Sequence, residues 1–330
     1  MLEFIEQFPE QMQDAVKRYA QPSLSALSGS ISSVVVCGLG GSGIAGDLLS
    51  DLTFGVLSVP VVVNKGYGLP AFVQRDALLI LCSYSGNTEE TISCFHDAVN
   101  RGLRPICVAS GGQLKQLAQS NGFDFIELPT GFPPRTTLGY GAMILLSILR
   151  KAGLLAWDLE SKMNGCAEFL LANQHQISQD AKALADKIKF KTVVVTVEDK
   201  MQSAAVRLKQ QINENSKQNC WYHVVPELNH NELVGWKMRN ETLAVVFFRH
   251  SFEHKRNKLR FLFIKPVIEE VVSSLTEVQA QGADFFQQCF YFIHFGDWLS
   301  YHLAIAHKQD PVEVKVIDKL KAFLNSVPAE

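Results

Sequence analysis

Lysine and arginine never gather into a block in this chain, and the formal net charge is only -2. The electrostatic footprint of a nucleic-acid binder is therefore missing, although a small anion can still be bound locally. Cysteine is scattered: Cys37, Cys82, Cys94, Cys107, Cys166, Cys220 and Cys289 form no CxxC pair and no even set of spacings, which excludes a disulfide framework. Most sit inside apolar runs and read as reduced core thiols. No apolar stretch approaches bilayer-spanning length, and no basic segment followed by an apolar run opens the chain, so neither a membrane span nor a secretory leader is expected. The expected compartment is the cytoplasm. His230 and Glu232 do not make HExxH, no PCxxC completes a zinc deaminase, and no carboxylate cluster resembles a calcium loop, so no metal is expected. Gly41-Ser42-Gly43 is not GxSxG, which leaves a hydrolase triad without its anchor. Enzyme chemistry, if present, should be acid–base.

What is present is 330 residues, 47% of them hydrophobic and 19% charged, enough for two domains of ordinary size. A helix is predicted over Pro9 to Tyr19. From Ser33 onward short β-branched runs alternate with amphipathic stretches: Val34–Cys37, Val61–Asn64, Ala77–Cys82, Pro105–Ala109 and Phe125–Glu127. That rhythm, with near-continuous apolar strands, predicts a parallel sheet covered on both faces by helices. A long helical region from about Gly139 to Ile188 leads to a second series near Thr192–Val197, Trp221–Val225, Leu243–Phe248 and Val271–Leu275. The fold class is therefore α/β, with two three-layer α/β/α sandwich domains of mainly parallel sheets, residues 1–152 and 153–330. A terminal helix from Pro311 to Val327 is free to pack against either.

The densest chemistry follows the third strand, in Ser83-Tyr84-Ser85-Gly86-Asn87-Thr88-Glu89-Glu90. Hydroxyls from Ser83, Ser85 and Thr88 lie in or beside a loop that enters a helix, with Asn87 as its predicted cap and Glu90 closing a capping box. Free backbone N–H groups at such a helix start favour a phosphate. An ordinary strand-to-helix turn is the plainer reading. Gly38-Leu39-Gly40-Gly41-Ser42-Gly43 satisfies the GxGxxG spacing, yet a dinucleotide site also asks for an acid at the end of the second strand, where the chain offers Asn64 and Lys65. No nucleotide cofactor is expected. Backbone approach to another ligand, with Ser42 as hydroxyl donor, or a simple tight turn remain for this segment. Pro133-Pro134 restricts where Arg135 can point, so Arg135 either stabilises a negative charge or caps a loop. Glu214, flanked by Asn213 and Asn215 at a helix end, is a positioned base or a surface charge. Arg207, two turns earlier, shares its face. His230, in Pro226-Glu227-Leu228-Asn229-His230-Asn231-Glu232, can exchange a proton near neutral pH or merely adjoin a cap.

Taken together these segments resemble a known family. Gly-Gly-Ser-Gly at 40–43 and the Ser83–Glu90 loop are similar to the sugar isomerase (SIS) fold that binds phosphosugars. Pro-Pro-Arg at 133–135, Asn-Glu-Asn-Ser-Lys at 213–217, Glu-Leu-Asn-His-Asn-Glu at 227–232 and Gly-Asp-Trp at 296–298 resemble the bifunctional phosphoglucose/phosphomannose isomerase family. The resemblance implies metal-independent and cofactor-free interconversion of glucose 6-phosphate and mannose 6-phosphate with fructose 6-phosphate through an enediol. It implies phosphate contacts from Ser42, Ser83, Ser85 and Thr88 beside a substrate loop of Gly40, Gly41 and Gly43. Arg135 would stabilise the enediolate, and Glu214 would carry the proton between C1 and C2. His230 would assist ring opening from the partner subunit of a homodimer. A lysine of the last helix, Lys321 rather than Lys319, would line the site. Departures from the pattern are His302, where a bulky or aromatic residue is expected, and the missing glycine before Asp310-Pro311. The alternative from another class is a non-catalytic phosphosugar-binding regulatory protein of the same fold, which has no need of Glu214, Arg135 and His230 together. The isomerase half of an amidotransferase is expected to need an N-terminal Cys nucleophile, which Met1-Leu2-Glu3 does not offer.

Overall fold

Residues 1–25 and 29–327 are described, in a computed structural model. Helices α1 (Leu2–Glu6) and α2 (Phe8–Tyr19) open the chain. The β-branched runs then form β1 (Ser33–Cys37), β2 (Val61–Asn64), β3 (Ala77–Cys82), β4 (Ile106–Ala109) and β5 (Phe125–Glu127), each within a residue of its sequence-predicted start. All pair in parallel in the order β2-β1-β3-β4-β5. Three connections out of these strands carry helices: α3 (Gly40–Thr53), α4 (Glu89–Asn100) and α5 (Gly112–Ser120). Helices α6 (Leu138–Lys151) and α7 (Leu159–Ile188) lead to a second set. There β6 (Thr192–Glu198), α8 (Gln202–Ser216), β7 (Cys220–Val225), β8 (Asn240–Arg249), α9 (Lys255–Glu269) and β9 (Val272–Gln279) form a parallel sheet of order β7-β6-β8-β9. The chain closes with α10 (Phe285–Ala306) and α11 (Lys315–Ser326).

Strand alternation sorts the core into layers. Val35, Cys37, Leu79, Leu81 and Cys107 point to the outer face of the first sheet, under Ile92, Phe95 and Ala98 of α4 and Leu114 of α5. Val194, Val245 and Phe247 do the same in the second sheet, under Phe261, Ile264 and Ile268 of α9. The inner faces, Val34, Val36, Leu78 and Ile80 of one sheet and Val193, Val195, Ala244 and Val246 of the other, belong to a single cluster with α2, α6, α7 and α10. Two sandwiches thus share one helical middle. Among the described residues no helix is long and apolar enough to cross a membrane.

Three local readings are corrected. The region 139–188 is two helices, because Gly153 adopts φ +72° after α6 and Asp158 restarts the chain by accepting from the Ser161 N–H at 3.1 Å. Helix α11 begins at Lys315 rather than Pro311, because Arg135 Nη2 holds the carbonyls of Pro311 and Val312 at 2.7 and 3.0 Å in non-helical backbone. Asn87 does not cap α4: its Oδ1 accepts from the Gln113 N–H at 2.9 Å, pinning the first turn of α5 instead. The two departures noted in the sequence also find their place. His302 stacks on Trp298 with centroids 5.6 Å apart, as an aromatic residue would. Lys308 takes the left-handed position after α10 at φ +56°, where the Gln309 N–H reaches Ala304 O at 2.9 Å and the Lys308 N–H reaches Ile305 O at 3.1 Å.

Candidate active site

The strand order changes direction beside β1, and the two loops that leave the carboxyl ends of β1 and β3 flank that switch point. Ligands of open α/β sheets bind in such a crevice. The loops touch: a Cβ on Gly38 would lie 3.0 Å from the Cys82 carbonyl oxygen and 3.1 Å from Ser42 Cβ. Ser42 stands in the first turn of α3, where its own N–H is taken by the Leu39 carbonyl at 3.0 Å and Gly40 and Gly41 come before any helical acceptor. In the second loop Ser83 Oγ and Thr88 Oγ1 are 2.7 Å apart, and Ser83 Oγ accepts from the Gly86 N–H at 3.1 Å. Ser85 Oγ accepts from the Asn87 N–H at 3.2 Å and is exposed. Gly86 is required here: φ is +70°, and a Cβ would fall 1.9 Å from the Gly111 carbonyl oxygen. The α3 and α4 N-termini follow these two loops, with the Ser83 and Thr88 hydroxyls in contact and Ser85 exposed beside them. At the acid position of a dinucleotide site, Lys65 is paired with Asp47 instead. Gly43 serves the same loop by packing against Gly38, whose carbonyl oxygen a Cβ would meet at 2.6 Å, and Gly40 carries its turn at φ +52°.

Helix α3 runs antiparallel to α8, and the contacts at both ends say so. Asp51, late in α3, accepts from the Ser203 N–H at the start of α8 at 2.7 Å. At the other end Gly41 packs on the turn that carries Arg135, which in turn meets Glu214 near the end of α8. This packing brings the positive end of α3 to the carboxylate-bearing end of α8. Arg135 is buried, and its Nη1 lies 3.4 Å from Glu214 Oε2. Its Nε donates to Asn215 Oδ1 at 2.9 Å. Burial pulls the Arg135 pKa below the usual guanidinium range, an effect that Glu214 opposes and Arg207 reinforces.

Glu214 is half-buried and borders a cleft of about 470 Å³ with Asn213, Lys217, Glu313, Val314, Val316 and Ile317. Sequence reading gave Lys217 no role, yet it shapes this cleft. It ends α8 in the left-handed region at φ +54° and donates from Nζ to the carbonyls of Glu214, Asp310 and Glu313, each at 2.7 Å. An ammonium at a helix C-terminus satisfies carbonyls that have no N–H partner. Together Arg135 and Lys217 strap residues 310–313 across the site. The only advance signal was position, since Lys217 closes the Asn-Glu-Asn-Ser-Lys segment.

His230 and Lys321 are not brought in. His230 is exposed on a short 3₁₀ turn (Glu227–His230) beyond the carboxyl end of β7, whereas Glu214 precedes the start of that strand. Six strand residues span about 20 Å, so the two lie at opposite ends of the subunit's second sheet. Lys321 and Lys319 are both exposed on α11.

A family profile described as the bacterial phospho-glucose isomerase C-terminal SIS domain matches residues 177–324. The chain is 35% identical to the bifunctional phosphoglucose/phosphomannose isomerase of Caldicellulosiruptor bescii, over 99% of each chain. It is 37% identical to the protein of the same description from Aquifex aeolicus, over 88% of this chain and 90% of that one. The crystal structure of glucosamine-6-phosphate deaminase from Thermotoga maritima covers 94% of this chain and 96% of its own with a TM-score of 0.70 at 14% identity, which is a likeness of fold.

Proposed function

The chain belongs to the bifunctional phosphoglucose/phosphomannose isomerase family, and from that premise we propose that it interconverts glucose 6-phosphate and mannose 6-phosphate with fructose 6-phosphate through an enediol. The observation that carries the reading is the contact of Glu214 with Arg135, 3.4 Å apart, beside a phosphate cradle of Ser42, Ser83, Ser85 and Thr88. An aldose–ketose isomerisation needs a base that takes a proton from one carbon and returns it to its neighbour, and a cation at the oxygen that becomes negative. Glu214 is that base, and Arg135 faces the enediolate oxygen. A planar enediol accepts the proton on either face, so one site serves both C2 epimers. No step calls for a metal or cofactor. A regulatory protein without chemistry has no use for the Glu214–Arg135 contact, and relatives over most of the chain are named as isomerases.

Ring opening goes to His230 of a second copy, as the family resemblance implies, and the length of β7, about 20 Å, between this residue and its own Glu214 is consistent with that reading. Lys321 follows Ile317 by four residues and Lys319 follows Val316 by three, and Ile317 and Val316 both line the Glu214 cleft, so Lys321 is preferred on the resemblance of its Leu320-Lys321 pair to the family pattern. The division at 152/153 falls in the turn between α6 and α7. A cytoplasmic setting fits seven buried cysteines that all stand free.

The test is isomerisation of fructose 6-phosphate in EDTA, with both aldose products quantified and Glu214→Gln run beside wild type. Wild type should form both products, and the variant should lose about 10²–10⁴-fold in turnover while still binding sugar phosphate. Near-wild-type turnover in the variant would remove Glu214 from proton transfer. Glucose 6-phosphate as sole product would narrow the activity to one epimer.

A further inference from the structure

Arg135 is held by a closed polar circuit that runs through two buried helices. Arg207, Gln211 and Asn215 lie four residues apart on α8 and form one stripe toward α10. Arg207 Nη1 donates to the Arg135 carbonyl at 3.2 Å, and Arg207 Nη2 donates to Asp297 Oδ2 at 2.7 Å. Asp297 Oδ1 accepts from Gln211 Nε2 at 2.8 Å. One turn along α10, Ser300 Oγ donates to the Asp297 carbonyl at 2.8 Å and accepts from Asn215 Nδ2 at 2.9 Å. Asn215 Oδ1 then accepts from Arg135 Nε, which closes the circuit. Its members are all nearly inaccessible: the Arg207 and Asp297 side chains are 4% and 5% exposed, and Asn215 and Ser300 are 0% exposed.

A buried ion pair of this kind adds little to stability compared with apolar side chains of similar volume. What it supplies is orientation. The circuit grips Arg135 twice, at its backbone carbonyl and at Nε, which fixes the plane of the guanidinium and leaves Nη1 facing Glu214. The grip on Nε is neutral. An amide oxygen accepts the hydrogen bond without cancelling the charge that the enediolate requires, and preorganised charge of that sort is realised in the transition state. We propose that Asp297, Arg207, Ser300 and Asn215 are positioning residues for Arg135, and that Asn215 is an amide so that no second carboxylate joins Glu214 in offsetting the cation. This rests on the isomerase reading above.

Two variants test it. Ser300→Ala removes the hydroxyl that sets the Asn215 amide, and Asn215→Asp keeps the shape but adds a negative charge at Nε. Each is assayed for kcat and KM, and for affinity toward two probes. One is a five-carbon aldonate phosphate, whose carboxylate copies the enediolate. The other is a six-carbon alditol phosphate, which copies only the bound sugar. Both variants should lose about tenfold in kcat, hold KM within about threefold, and lose aldonate affinity in step with kcat while keeping alditol affinity. If Ser300→Ala fails to fold, Asn215→Asp carries the test alone. Wild-type kcat in a folded variant overturns the proposal, as does an equal loss of affinity for both probes, which would mark the circuit as general scaffold. Absence of isomerisation in wild type sinks the isomerase reading itself, whereas wild-type turnover unaltered in the variants sinks only the circuit.

Discussion

Glu198 is the residue most easily mistaken for a second active-site carboxylate. It ends β6, the strand that stands in the second sheet where β1 stands in the first, each flanked by the two strands that follow it in sequence. Its side chain is 0% exposed: Oε1 accepts from the His254 N–H at 2.7 Å and Asn257 Nδ2 at 2.8 Å, and Oε2 lies 3.0 Å from His250 Nε2. Burial alone would push the Glu198 pKa up, but the bonds from His250, Asn257 and His254 outweigh it and hold the group down to about 2. An unfolded glutamate titrates near 4.3, so the folded chain binds fewer protons between those values. The stability this group contributes is complete above about pH 4.3 and is lost as pH falls through 2. Glu198→Gln should then cost on the order of 2–3 kcal/mol in urea unfolding at pH 7, with the gap to wild type shrinking below about pH 4. A gap that stays constant with pH would show that shape, not charge, matters at this position.

At the scale of elements, the contact that makes the site is the start of α3 against the 3₁₀ turn Pro134–Thr136. A Cβ on Gly41 would lie 2.6 Å from the Pro134 carbonyl oxygen and 3.4 Å from Arg135 Cα, and backbone cannot yield as a flexible side chain does. Gly41→Ala should therefore separate the phosphate cradle from Arg135, lowering kcat/KM by roughly 10–100-fold while the fold survives. Gly165→Ala is the control, since its Cβ would meet nothing within 4 Å on α7; it should keep full activity and gain up to about 1 kcal/mol in helix stability. A Gly41→Ala enzyme with unchanged kinetics would show that the two elements do not need this approach. The same contact explains what could be read in advance. Apolar runs such as Ala77–Cys82 announced the strands, because a strand buried on both faces must be apolar throughout. Ser83, Ser85 and Thr88 announced themselves because hydroxyls crowd one loop. The antiparallel pairing of α3 with α8 stayed hidden, since periodicity reports which face of a helix is buried and not against what. Lys217 stayed hidden for the same reason: its three acceptors are backbone carbonyls, two of them about ninety residues away, and carbonyls have no sequence signature.

For the whole molecule, the placement of His230 is the decisive fact. Its own Glu214 lies at the far end of β7, and the surface beside it mixes exposed apolar side chains with Arg256 and Arg260. Leu259, Leu262 and Phe263, three and four residues apart on α9, are each more than half exposed, and Val234 on the adjoining turn is 84% exposed. Leu259 and Phe263 share a cleft with Asn229, the residue before His230. We propose that two chains pair antiparallel, so that the His230 end of each meets the Glu214 end of the other, an arrangement that an isologous two-fold contact allows. The proposal is testable by complementation. Glu214→Gln and His230→Ala homodimers should each be nearly inactive. Unfolded together and refolded at equal amounts, half the dimers are mixed, and each mixed dimer holds one complete site, with Glu214 from one chain and His230 from the other. Activity should return to about a quarter of wild type. If both residues acted within one subunit, a mixed dimer would contain no complete site, and the mixture would stay as inactive as its parents.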